Sequence, residues 1–126
     1  MADRKFSGNL VRHLEKNATE IPSDIAIIST GGSPFKKTFN QLHEDVILYS
    51  IFFKKKGVQR NDRVLLMVKP GYELIICCFA LLFIGAIPII IDPGMGLKST
   101  LKCIKRCKPQ TLSLIHISEP TRHLFI

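Results

Sequence analysis

Gly57–Gly96, GVQRNDRVLLMVKPGYELIICCFALLFIGAIPIIIDPGMG, is the stretch that decides how this chain folds. Asn61-Asp62 turns the chain, and Arg63 to Val68 is apolar after its first residue, as a buried strand is. Lys69-Pro70-Gly71 reads as a loop and Tyr72 to Ile84 as an apolar helix stopped by Gly85. Ile87 to Ile91 follows as a second strand, because β-branched runs favour extended backbone. Asp92-Pro93 leads it out. Strand, helix, strand with short links is one βαβ unit, which predicts parallel pairing with a right-handed crossover.

Leu74 to Ile91 is also a continuous uncharged run, long enough to raise the question of a membrane span. Gly85 and Pro88 lie three apart within it, where a helix would break and a strand begin. The reading favoured is two buried elements; a small protein anchored by one span at 74–91 is the rival.

Outward from this unit, Thr38 and Gln41 fit a capping box at a helix start. Leu42, Val46, Tyr49 and Phe53 then recur at spacings of four, three and four, one buried stripe closed by Gly57. Upstream, Asp24 to Ser29 reads as a strand, Gly31 to Pro34 as a turn and Phe35 to Lys37 as a short returning strand. Phe6, Leu10 and Leu14 predict one face of a first helix, with Ser7 or Asn9 to cap it and Ile21-Pro22 to end it. Downstream, Leu97 to Cys107 predicts a last helix stopped before Pro109, with Leu97, Leu101 and Ile104 opposite its basic residues. The fold class is α/β, a partial parallel sheet with flanking helices.

The net charge is +8. Such a surplus can serve nucleic acid or anionic lipid. The positives are dispersed, at Lys36-Lys37, Lys54 to Lys56, and Lys98 to Lys108. Those at Lys54 suit a helix C-terminus, and the last group reads as a solvated face. Two tyrosines and no tryptophan leave little to stack on bases, so no nucleic-acid partner is expected. The four cysteines form no CxxC pair, and Cys77 and Cys78 read as small core residues. Cys103 and Cys107 lack a third ligand, so no metal site is expected. No secretory signal opens the chain, and reduced thiols in a cytoplasmic setting are expected.

Leu112 to Arg122, LSLIHISEPTR, matches at all eleven positions the in-frame translation of a common sequencing-library adapter. The expected organisation is therefore 1–111 as genuine protein and 112–126 as an artefactual tail, in which His116, Ser118, Glu119 and His123 receive no role. Leu112 to Ile117 alternates enough to form a strand whatever its origin, expected beside Ile87 to Ile91.

Three motifs carry a resemblance. Thr38-Phe39-Asn40-Gln41-Leu42 is similar to T-[FY]-x-[EQ]-L. Gly57-Val58 through Asp62-Arg63-Val64 is similar to G-V-x-x-G-D-R-V, with Asn61 where Gly is usual. Phe79-Ala80 through Gly85-Ala86 and Asp92-Pro93 resembles F-A-x-x-x-x-G-A-x-x-x-x-x-[DN]-P. In this order they resemble the N-terminal part of the large, AMP-binding domain of adenylate-forming enzymes, the acyl-CoA synthetase and ligase superfamily. The resemblance covers Thr38 to Pro109. The Lys69-Pro70-Gly71 loop and the Ile91–Gly96 exit most resemble the fatty-acid ligase branch that includes β-lactone synthetases.

The resemblance implies that a full-length parent uses ATP and Mg²⁺ to activate a carboxylic acid, a fatty acid in this branch, as acyl-AMP. The acyl group would then pass to coenzyme A, or to a carrier protein or the substrate's own hydroxyl. The family's machinery is a Ser/Thr/Gly-rich loop ending in Lys-Gly, a later Thr-Glu, a nucleotide-binding Asp and a C-terminal Lys. None of these occurs in Met1 to Thr111. No catalytic, cofactor-binding or metal residue is therefore assigned, and the fragment is expected to be inactive. A free-standing α/β binding module is the remaining alternative.

Overall fold

The computed structural model describes residues 10–109, 111–115 and 124–125. The βαβ unit forms as its composition dictates. Strand β3 (Arg63–Met67) pairs parallel with β4 (Ile87–Ile90), joined by helix α3 (Tyr72–Ile84). Val64, Leu65 and Leu66 are all fully buried, so β3 is covered on both faces, as the central strand of a parallel sheet must be. Helix α3 is 13 residues long, about 20 Å at 1.5 Å per residue and well short of a bilayer core. Among the described residues no helix is long and apolar enough to cross a membrane. Leu74 to Ile91 is thus two elements.

Gly85 makes the break between them. It sits at φ 94° and donates its N–H to the carbonyls of Leu81 and Leu82, closing the helix in a left-handed cap. A second constraint acts there. The Gly85 carbonyl accepts from Asn61 N at 2.8 Å, and a Cβ at Gly85 would lie 3.0 Å from Arg60 Cγ. The turn before β3 is therefore seated on the end of α3. Asn61 itself has φ 71°, a conformation Asn tolerates better than most residues where Gly is usual.

Helix α2 (Phe39–Lys55) starts at the expected capping box. Thr38 Oγ1 accepts from Gln41 N at 3.1 Å, and Gln41 Oε1 accepts from Thr38 N at 2.9 Å. Leu42, Val46 and Phe53 are buried and Tyr49 half-buried, the predicted stripe. Helices α2 and α3 make the most extensive contact between elements, and with β3 they enclose the core. Strands β1 (Ile25–Ser29) and β2 (Phe35–Thr38) form a separate antiparallel hairpin that leads into α2.

Helix α1 (Val11–Glu20) corrects the first expectation. Val11 and Leu14 are its buried residues, whereas Leu10 is the N-cap residue and 56% exposed. The helix packs on α2 and α3 through Val11 and Leu14, so the Leu10–Leu14 pairing does not form the buried face. Phe6, Ser7 and Asn9 lie outside the described residues.

After β4, a short 3₁₀ turn (Pro93–Met95) opens helix α4 (Leu97–Cys107). Lys108 ends α4 at φ 46°, and its carbonyl accepts from Arg63 Nη2 at 3.1 Å, tying the end of α4 to the start of β3. The expected burial of Leu97 and Leu101 does not occur: they are 75% and 52% exposed. Thr100 is buried instead, with Cys103, Ile104 and Cys107 half-buried. The helix is rotated so that its smaller side chains face inward.

Strand β5 (Thr111–Ile115) extends the sheet, and β6 (Leu124–Phe125) pairs antiparallel with it, in the order β4-β3-β5-β6. The tail strand was expected beside Ile87–Ile91. It lies on the other side of β3, with Val64 opposite Thr111 and Met67 opposite Leu114. The reason is visible in the backbone. Ile87 N and Ile91 N donate toward β3, to Asp62 O at 2.7 Å and Leu66 O at 3.1 Å. Alternate residues Pro88 and Ile90 therefore face outward, and proline has no N–H to offer a further strand. The second edge of β3 has no such gap. Residues 116 and 117 of the expected strand, and Ser118, Glu119 and His123, fall outside the described residues.

Candidate functional site

Ligands of open α/β sheets bind beyond the carboxyl ends of the strands. At those ends here stand Val68 to Gly71 after β3 and Ile91 to Gly96 after β4. The second loop is built by Asp92. Its Oδ1 accepts from Gly94 N at 2.9 Å, capping the 3₁₀ turn. Gly96 (φ 93°) redirects the chain, and its carbonyl accepts from Thr100 Oγ1 at 2.7 Å. Asp92 Oδ1 is thus engaged in a local turn, as is the Gly94 N–H that could have met a phosphate.

The densest polar chemistry lies between α2 and α3. Tyr49 donates to Glu73 Oε2 at 2.6 Å, and Tyr72 donates to Asp45 Oδ2 at 2.6 Å. Each helix gives one hydroxyl and one carboxylate. Lys37 Nζ stands 3.8 Å from Asp45 Oδ2 and 5.3 Å from the centre of the Tyr72 ring, and Phe35 meets that ring edge-on at 5.6 Å. Burial raises the Tyr49 and Tyr72 hydroxyls above their ordinary 10.0, and the bonds to Glu73 and Asp45 raise them further. Burial also raises Glu73 above its ordinary 4.5, opposed by the bond from Tyr49. Glu73 Oε1 is buried with no hydrogen-bond partner among the described residues. These groups lock the two helices together. Tyr49 belongs to the core stripe predicted from the sequence, whereas Glu73 has no part in that pattern. The available signal was a lone carboxylate in the otherwise apolar α3.

Hollows also mark the surface of the described residues. One, about 570 Å³, runs along α4 between Met95, Ser99, Lys102, Cys103 and Arg106. Another, about 280 Å³ and apolar, is lined by Leu14, Ala26, Ile27, Phe39 and Phe79 where α1, β1, α2 and α3 meet. All four cysteines are free, and burial raises the Cys77 thiol above its ordinary 9.0. Among the described residues no group of three or more His, Cys, Asp or Glu could hold a metal ion.

Among the described residues the donor set does not fit a magnesium nucleotide. Asp92 and Gly94 N bond each other, while Asp45 and Glu73 are bound to tyrosines. Among the described residues no Lys-Gly phosphate loop stands at the ends of β3 and β4.

The family model for AMP-binding enzymes matches residues 14–123. The olefin beta-lactone synthetase of Xanthomonas campestris pv. campestris is 28% identical over 124 residues, spanning 92% of this chain and 22% of that protein. The acetyl-coenzyme A synthetase of Methylobacillus flagellatus is 33% identical over 101 residues, spanning 78% of this chain and 15% of that protein. A fatty acyl-adenylate ligase from L. pneumophila, solved with acyl adenylate and pyrophosphate, superposes with a TM-score of 0.77 at 21% identity, over 91% of this chain and 21% of that one. That likeness shows a shared fold. The chain spans no more than 22% of the length of these two curated relatives.

Proposed function

Because this chain belongs to the AMP-binding enzyme family, we propose that it is the amino-terminal portion of an adenylate-forming ligase whose other portions carry the chemistry. The full protein activates a carboxylic acid, in our reading a fatty acid, with ATP and Mg²⁺. It hands the acyl group to coenzyme A or to another acceptor. The carrying observation is the βαβ unit: its turn, its helix stop at Gly85 and its Asp92-Pro93 exit hold the family's motif residues in one packed piece. The likeness to an olefin beta-lactone synthetase and an acetyl-coenzyme A synthetase supports the acid-activating reaction, and the first of them supports the branch. Four free thiols suit a reducing cytoplasm.

We also assign Leu112–Ile126 to adapter-derived sequence, on the eleven-residue identity; the family match itself continues to residue 123. A genomic read past the Thr111 codon tests this: a downstream Ser/Thr/Gly-rich loop is expected, and LSLIHISEPTR in the genome would overturn it.

Pyrophosphate exchange tests the function. The purified chain with ATP, Mg²⁺ and a fatty acid is expected to show none, and the protein encoded by the uninterrupted gene is expected to show acid-dependent exchange. Acyl-AMP formed by the chain alone, or an uninterrupted protein inert toward every acid offered, would reject the proposal.

A further inference from the structure

Helix α4 carries Lys98, Lys102, Lys105 and Arg106, all exposed, and Lys108 follows at its end. No Asp or Glu occurs between Asp92 and Glu119. A solvated cationic face would account for this if the apolar side of the helix were buried. It is not: Leu97 is 75% exposed, Leu101 52% and neighbouring Met95 37%. The helix instead meets the body of the protein through Thr100, Cys103, Ile104 and Cys107.

The angular arrangement is specific. At 100° per residue, Leu97 and Leu101 lie about 40° apart, and Lys105 and Lys98 follow about 40° and 60° beyond Leu101. Lys102 and Arg106 come next around the helix, along the hollow of about 570 Å³. Exposed leucines beside a stripe of long cationic side chains are what an interfacial helix presents. The apolar groups enter the acyl boundary while the lysine stems lie along it and carry their charges to the headgroups. A nucleic acid would use the charges but has no use for the leucines.

We propose that α4 is a membrane-surface helix: it seats Leu97 and Leu101 in the outer acyl region of an anionic bilayer, with Lys98, Lys102, Lys105 and Arg106 on the lipid phosphates. The contact is peripheral and spans nothing. It does not depend on the ligase reading, since it is read by flotation and not by turnover.

The test is flotation of the 126-residue chain with phosphatidylcholine vesicles, with or without phosphatidylglycerol. Flotation is expected with the anionic vesicles, weakened by raised salt. Lys98→Gln and Lys102→Gln should each weaken partitioning by about fivefold. Leu97→Ser with Leu101→Ser should weaken it by at least about tenfold. Because both leucines are exposed, these variants should keep the wild-type melt, which separates lost binding from lost folding. Four results would overturn the proposal. They are no flotation with anionic vesicles, equal flotation with neutral ones, leucine variants that bind as wild type, and a longer native protein that does not float, which would make this face an interior contact.

Discussion

Tyr49 on α2 gives its hydroxyl hydrogen to Glu73 on α3 across 2.6 Å, in a helix pair also held by apolar packing and by the Tyr72–Asp45 bond. The bond satisfies one carboxylate oxygen, while the other is buried without a partner among the described residues. A group half-provided for in this way makes its one bond costly to lose. Tyr49→Phe should lower stability by about 1–3 kcal/mol, since it strands both oxygens. Urea denaturation measures it; an unchanged midpoint would mean that water takes over the bond.

The same burial makes stability fall with rising pH, in two windows. Glu73 is raised, so it binds its proton more firmly folded than unfolded. Its contribution is complete below 4.5, the ordinary value, and is lost as pH climbs through the raised value. Cys77, Tyr49 and Tyr72 are raised from 9.0, 10.0 and 10.0, so their contributions hold at neutral pH and are lost as pH rises past those values. Midpoints measured against pH should show Glu73→Gln flattening the acidic window and Tyr72→Phe the alkaline one. Unaltered profiles in both variants would refute the assignment.

Gly85 answers to two demands at once, a left-handed backbone and the approach of Arg60. Gly85→Ala should cost about 1–2 kcal/mol for the backbone, and more as Arg60 is displaced. The paired variant Gly85→Ala with Arg60→Ala should recover only the second part. Thermal melts of both decide it, and full recovery would remove the backbone argument.

Thr38→Ala should cost about 1 kcal/mol, because the capping box loses the acceptor for Gln41 N. Gln41→Ala should cost less, since only the Thr38 N–H loses its partner, at an exposed position. Equal losses in the two would show that the box acts as one unit.

What could be read from the residues was what neighbours in sequence decide. The capping box lies within four positions, and the α3 stop needs only Gly85 and the β-branched run after it. Three features escaped because distant partners settle them. The face that α1 and α4 turn inward depends on what they pack against, so Leu10, Leu97 and Leu101 stand exposed although both helices form. The place of β5 depended on which edge could accept hydrogen bonds. The pairing of Tyr49 with Glu73 joins residues 24 apart, and no local pattern announces it.

Pro88 leaves the outer border of β4 with one usable donor, from Ile90, where a regular strand would present two. Stray chains and second copies of the protein are thereby refused a template on that side, and self-association by sheet extension must begin elsewhere. Valine in place of Pro88 would reopen the border, and the first symptom would be fibrillar precipitate at concentrations where the native sequence stays clear.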